Sequence, residues 1–346
     1  MSTNMYNERI YFAAANSFYG FKSNFDKVFD PRQFKKLYIL KGGPGTGKST
    51  LMKKIADHFM SDATVTKILC SSDTGSLDGV IIEKGNVKIG IADGTSPHAI
   101  EPRYPGAVEE IINLADGFDY RSLIGRRGEI IDLSDEKNES YKNAYKVLEK
   151  AGVLLQEINE LLRDIGIYKK AESFATKITS HEKHGDMPGV NDIFLLSSFS
   201  KDGYMSLPRK SEKKDVITVK GDGFYEHIIM REVYKILSEK CTLKGVYYSP
   251  LSQNIIDTLE SETHVYTVIC GEYAGMQNST IADKNSKYSE LSESYKAALI
   301  QAQEYFKKAS VSHFALEDIY SKNISFENNG KILQRVILEM DELFNK

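Results

Sequence analysis

Short unbroken apolar runs alternate along this chain with stretches in which apolar residues recur three and four apart, the pattern of buried strands interleaved with amphipathic helices. Leu37, Tyr38, Ile39 and Leu40 form one such run, and Leu51, Met52, Ile55, Ala56 and Phe59 follow at helical spacing. Val65 to Cys70 and Val87 to Ala92 read as further strands, with Asp73 and Asp93 at their ends. This order predicts an α/β fold, a parallel sheet flanked by helices. From about 134 to 184 the pattern changes. Tyr141, Tyr145, Leu148, Gly152, Leu155, Ile158, Leu162 and Ile165 predict a long amphipathic helix, half of a hairpin. A counterpart spans about 285–346, with Leu291, Tyr295, Ala298, Leu299, Ala302 and Phe306, then Ile332, Val336, Ile337, Met340 and Phe344, and a break expected at Asn328-Asn329-Gly330.

The order of parts repeats. Ile10 to Ser23 and Ile193 to Ser206 share an apolar start and a G-[FY]-x-S ending, and a Gly/Asp/Pro-containing linker near 185–189 precedes the second. A strand at Val216 to Val219 and a helix carrying Ile228, Ile229, Val233, Ile236 and Leu237 then follow, as after the first. Both halves carry E-S-Y-K, at Glu139 to Lys142 and Glu293 to Lys296. A duplicated domain is expected, residues 1–187 and 188–346, each copy ending in its long helical segment.

Between the first strand and its helix lies Lys41 to Thr50, KGGPGTGKST, which fits G-x-x-x-x-G-K-[ST] at Gly42, Gly47, Lys48 and Ser49. The spacing suits a phosphate cradle of Gly42, Gly43, Pro44, Gly45, Thr46, Gly47, Lys48, Ser49 and Thr50. Small glycines admit the anion, the helix start adds its positive end, Lys48 meets the β- and γ-phosphates, and Thr50 meets the α-phosphate. Ser49 and Asp93 are the expected Mg²⁺ ligands, with Asp73 as runner-up to Asp93. Gly94 stands where many ATPases place a catalytic Glu. In the second half the aligned positions of Gly47, Lys48 and Asp93 hold Glu226, His227 and Cys270, which predicts an inactive copy acting as scaffold or regulator.

Asp93 to Asn113 is dense in Pro, Gly, His and charge and is expected to be an active-site loop leading into a helix. His98 and Arg103 are its catalytic candidates, with Glu101, Glu109, Glu110, Arg121, Arg126 and Arg127 within reach along the chain. One arginine would neutralise charge on the transferred phosphoryl group.

Composition narrows the picture. The chain has 346 residues and a net charge of −3, enough length for two cores and no basic footprint, which argues against nucleic acid as a partner. Cys70, Cys241 and Cys270 lack metal-ligand spacing, and no export signal or eighteen-residue apolar run is read, so a cytoplasmic protein with no membrane contact is expected. The long helices offer a surface for a protein partner.

Residues 37–52, with SLDGVII at Ser76 to Ile82, DGTSPH at Asp93 to His98 and RYPGAVEEIINL at Arg103 to Leu114, resemble a family of uncharacterised bacterial tandem P-loop ATPases. The resemblance implies a duplicated P-loop NTPase fold and hydrolysis of ATP, or another NTP, with Mg²⁺. A small-molecule or nucleotide kinase whose PRYPG segment and arginines bind an acceptor is one alternative. A nucleotide-controlled switch with negligible turnover is the other.

Overall fold

Most of these apolar patterns become the expected elements in the computed structural model, which describes residues 8–183, 193–207, 214–220, 224–240, 243–268 and 285–345. In chain order these are β1 (Glu8–Phe12), β2 (Ala14–Ser17), β3 (Gly20–Ser23), α1 (Phe25–Val28), β4 (Lys36–Lys41), α2 (Lys48–Phe59), β5 (Thr64–Leu69), β6 (Leu77–Lys84), β7 (Val87–Asp93) and β8 (Glu109–Asn113). They continue with α3 (Tyr120–Gly125), α4 (Arg127–Asp164), α5 (Ile167–Ile178), β9 (Ser197–Ser200), β10 (Gly203–Ser206), β11 (Asp215–Val219), α6 (Tyr225–Lys240), β12 (Gly245–Tyr248), β13 (Ile256–Glu260), β14 (His264–Val268), α7 (Ser286–Ser321) and α8 (Glu327–Phe344). The proposed linker near 185–189, Gly221 to Gly223, Cys241 and Cys270 lie outside the described residues. No described helix is long and apolar enough to cross a membrane.

Two compact units emerge, and they do not divide at 187. One comprises 1–13, 23–141 and 307–346, the other 14–22 and 142–306. The division falls inside α4 and α7. A helix of 38 residues, such as α4, is on the order of 55 Å long and outruns the core of one small domain.

In the first unit the sheet order is β1-β5-β6-β7-β4-β8. Strand β4 is parallel to both β7 and β8, whereas β6 is antiparallel to β5 and to β7. The sheet is therefore mixed, not parallel throughout. Gly85-Asn86 joins β6 to β7 and a short turn joins β5 to β6. Neither has room for the crossover that a parallel neighbour needs. Helices α2 and α8 close one face, where Leu51, Met52, Ile55, Phe59, Val336 and Met340 share a core with Tyr38, Leu40, Val80 and Ile91. Phe25, Phe29 and Phe34 stack along the other face. Glycines admit these rings: a Cβ on Gly79 would lie 2.4 Å from Phe29 Cζ, and one on Gly90 2.8 Å from Phe34.

Two sequence-based expectations are corrected here. Glu109 to Asn113 forms a strand rather than the start of a helix, because its pairing with Leu37–Lys41 satisfies the otherwise open edge of β4. The final helix runs through Asn328-Asn329-Gly330 and the break comes earlier, at Lys322 to Phe326. There the backbone bonds Asp119 N to Asn323 O and Ser325 N to Gly117 O replace helical ones, a tertiary pairing that overrides local propensity.

In the second unit the sheet order is β11-β14-β13-β12, with β11 parallel to β14 and β13 antiparallel to both neighbours. The strands β4, β7, β6 and β5 have the same order and directions. Hairpins β2–β3 and β9–β10 also match, each with four-residue strands around a two-residue turn.

Gly79→Ala is expected to lower stability by about 1–3 kcal/mol through overpacking against the buried Phe29. Gly128→Ala, with nothing within 4 Å of its added Cβ, should leave stability unchanged or slightly raised. Urea midpoints of the two variants check this, and similar losses in both would remove the steric explanation.

Candidate functional site

The turn from β4 into α2 is shaped by backbone geometry that side chains resist. Gly45 and Gly47 have φ of 71° and 86°, in the left-handed region that glycine alone adopts without cost. Thr46 is buried, and its hydroxyl donates to Gly43 O at 2.9 Å, which pins the loop. Helix α2 begins at Lys48, so the amides of its first turn have no acceptor within the helix and face the loop.

Lys48 folds back over this cradle. Its Nζ donates to Gly42 O and Gly43 O, both at 2.8 Å, and lies 3.6 Å from Asp93 Oδ2. The strand register explains the approach: Leu40 of β4 pairs with Asp93 of β7, so loop and carboxylate leave the same end of adjacent parallel strands. Asp93 Oδ1 accepts from Thr95 N at 2.9 Å and from Thr95 Oγ1 at 2.6 Å, which leaves Oδ2 toward the lysine. Ser49 Oγ accepts from Leu77 N at 2.9 Å and keeps its own proton and a lone pair. Pro44 is half-buried, whereas Thr50 is exposed on the first turn of α2. Asp73, the alternative carboxylate, accepts from Ser76 Oγ at 2.9 Å in the turn before β6.

Gly94 has a packing reason. A Cβ there would lie 2.4 Å from Ile39 Cγ2, and its N–H donates to Leu40 O, so the chain crosses β4 too closely for a glutamate to follow Asp93.

His98 comes to this centre from behind. Its Nδ1 lies 3.1 Å from Asp93 O, its Nε2 lies 3.4 Å from Asp78 Oδ2, and its ring stacks on Phe25 at 4.1 Å. Burial alone would push its pKa down, but the hydrogen bond and charge of Asp78, with the charge of Asp93, carry it above the ordinary value. Arg103 is placed elsewhere: its guanidinium meets Asp30 Oδ1 at 3.0 Å, while its backbone N–H donates to Glu109 Oε2. Glu101 pairs with Lys41, Glu110 with Lys36 and Arg335, and Arg126 with Glu129. None of these four pairs includes Lys48, Ser49 or Asp93.

Other residues reach the loop without any local motif to announce them. Asn329 Nδ2, at the start of α8, donates to Thr46 O at 2.9 Å, and a Cβ on Gly45 would lie 2.6 Å from Glu317 O of α7. Ser312 of α7 approaches Glu136 of α4 at 3.4 Å, which brings their neighbours His313 and Lys137 to the same neighbourhood. Burial lowers the His313 pKa, and the charges of Glu317, Lys137, Asp73 and Lys48 all act on it. Lys137 is half-buried, has no hydrogen bond or ion pair among the described residues, and is held below the usual lysine range by desolvation. Only the packing of α7 on the loop and on α4 reveals these two residues. Their sequence positions read as ordinary helix surface.

Among the described residues, the second unit holds a cluster with metal-ligand chemistry. His181, Glu182 and His264 bring potential ligand atoms within 4.8 Å of one another. Glu182 already accepts from Ser261, Thr263 and Tyr266. Burial would raise its pKa, but those bonds and His264 hold it below the usual carboxylate range, as in a satisfied structural network.

No protein-family model matches the chain, and comparison with curated proteins and with solved structures likewise gave no match.

Lys137→Met should raise the melting temperature at pH 7. A lysine whose folded pKa is depressed costs stability wherever it is charged in the unfolded chain, so the gain should shrink as pH rises toward about 10.4. Thermal melts of both proteins across that range check it, and a loss of stability at pH 7 would show that the ammonium has a partner.

Proposed function

We propose that the protein binds a Mg²⁺-nucleoside triphosphate, ATP in preference, in the loop 42–50 of its first unit and hydrolyses it. One observation carries this reading: Lys48, Ser49 and Asp93 converge at the ends of two adjacent parallel strands, around a glycine-shaped loop that leads into a helix start. That donor set suits the ligand. Amides and an ammonium face anionic oxygens, and a hydroxyl with a carboxylate offers hard oxygen ligands to Mg²⁺. Bound there, the ion would act as a Lewis acid on the β- and γ-phosphates.

In this reading Lys48 exchanges its two carbonyl acceptors for phosphate oxygens, and the first-turn amides of α2 hold the same anion. Ser49 and Asp93 orient the metal, and Thr50 meets the α-phosphate. Asp78, through His98, steadies the backbone that presents Asp93. Arg103, occupied by Asp30, has no part in this assignment.

The matching strand order of the two units, and the recurrence of the hairpin β2–β3 as β9–β10 along the chain, support descent from one duplicated P-loop domain. Glu226 and His227 in place of Gly47 and Lys48 support a second copy without catalysis. A nucleotide-controlled switch is the second reading, favoured by the close packing that bars a glutamate after Asp93. Turnover below about one per minute, the range of unassisted GTPases, would select the switch.

Full-length protein, denatured directly after purification, should release nucleotide detectable by mass spectrometry. Lys48→Ala should abolish it and lower turnover by on the order of a hundredfold. His227→Ala should change neither. Nucleotide retained by Lys48→Ala would refute the loop as its site.

A further inference from the structure

The second unit contains a cationic cavity that the nucleotide reading does not use. Leu155, Asn159 and Arg163 form one stripe of α4, four residues apart, and His227 and Arg231 form another on α6. With Tyr168 of α5, Phe224, Ile228, Asn254 and Ile255 they enclose about 80 Å³.

Three features give this cavity its chemistry. None of its lining residues is acidic. Arg163 and Arg231 are both exposed at its rim, and neither guanidinium has a carboxylate partner among the described residues; Arg163 lies only against the Tyr168 ring, at 5.8 Å. His227 Nδ1 is buried there without a hydrogen-bond partner among the described residues, a state that costs free energy unless something supplies one. The remaining wall is apolar, from Leu155, Phe224, Ile228 and Ile255.

We infer that this cavity binds a small phosphomonoester, its phosphate held by Arg163, Arg231 and His227 and its organic part laid against the apolar wall. Two guanidiniums favour phosphate because each presents paired N–H donors that match two of its oxygens. Asn159 and Asn254 add neutral donors at the edge. The volume suits an anionic head group rather than a whole nucleotide, so the site differs in ligand from the loop around Lys48. His227 aligns in sequence with Lys48, which places the change of chemistry at corresponding helix starts.

The test uses full-length Lys48→Ala protein, so that phosphate bound at the other loop does not contribute. Phenyl phosphate, inorganic phosphate and benzoate are each titrated by calorimetry. Phenyl phosphate should bind at one site, and benzoate at least tenfold more weakly. Adding Arg163→Met and Arg231→Met should weaken phenyl phosphate at least tenfold with an unchanged melting temperature, and Arg231→Met alone should give part of that loss. Both arginines are exposed, so folding is not at stake. Absence of phenyl phosphate binding to Lys48→Ala protein, or binding undiminished by the arginine changes, would overturn the site. Benzoate binding as tightly as phenyl phosphate would overturn the phosphate assignment. Neither result bears on nucleotide at Lys48, which the wild-type measurement judges separately.

Discussion

The parallel pairing of β4 with β7 sets the chemistry of the first unit. It brings the end of β7, Asp93, alongside Leu40, just before the loop that carries Lys48. In α/β sheets the carboxyl ends of parallel strands are where loops converge and ligands bind. The Lys48–Asp93 pair that results is a poor device for stabilising the fold. Two charges about 4 Å apart at an effective dielectric near 20 gain ~4 kcal/mol, while desolvating each ion costs several. Both side chains are 12% exposed, so that cost is mostly incurred. A pair with little net value to folding is consistent with groups kept for a ligand.

The same comparison applies to the contacts of the lysine. Its two carbonyl acceptors are neutral, whereas an anionic phosphate oxygen would add charge–charge attraction to the same hydrogen bond. A polyphosphate would therefore compete well for Nζ, while the carbonyls of Gly42 and Gly43 keep the chain ordered in its absence. The loop is also held from outside. Asn329 binds Thr46 O, and the backbone of α7 lies against Gly45, so a change in loop shape must displace residues nearly three hundred positions away.

What was legible in the sequence was local. The runs Leu37 to Leu40 and Val87 to Ala92 became strands β4 and β7 because they are buried on both faces, where an unbroken apolar run is required. The approach of Lys48 to Asp93 was foreseeable because one lies in a contiguous glycine-rich turn and the other at a strand end. The reading failed where distant parts of the chain decide the outcome. Glu109 to Asn113 is a strand because β4 has an edge to fill, and Gly117 with Asp119 breaks the helix near Asn323. Arg103, chosen for its place in a charged loop, is taken by Asp30, whose position no local pattern gives. Asn329 reaches the loop, and Lys137 and His313 are brought near one another, only through the packing of α4, α7 and α8.

The two units show how little of the chemistry follows from topology. Strands β5, β6, β7 and β4 are matched in order and direction by β12, β13, β14 and β11, and each set includes a helix after its parallel strand. Yet the helix starts carry opposite instructions. Gly47 has a φ of 86° and no side chain, and a Cβ there would lie 2.9 Å from Asn329 Nδ2. Glu226 in the first turn of α6 is 6% exposed, so a carboxylate is buried where the other unit keeps backbone bare. Side-chain donors in the second unit are found instead at His227, at Arg231 one turn further along, and at Arg163 of α4. The same strand order thus presents two differently placed sets of donors, and the side chains at each helix start decide what either set can hold.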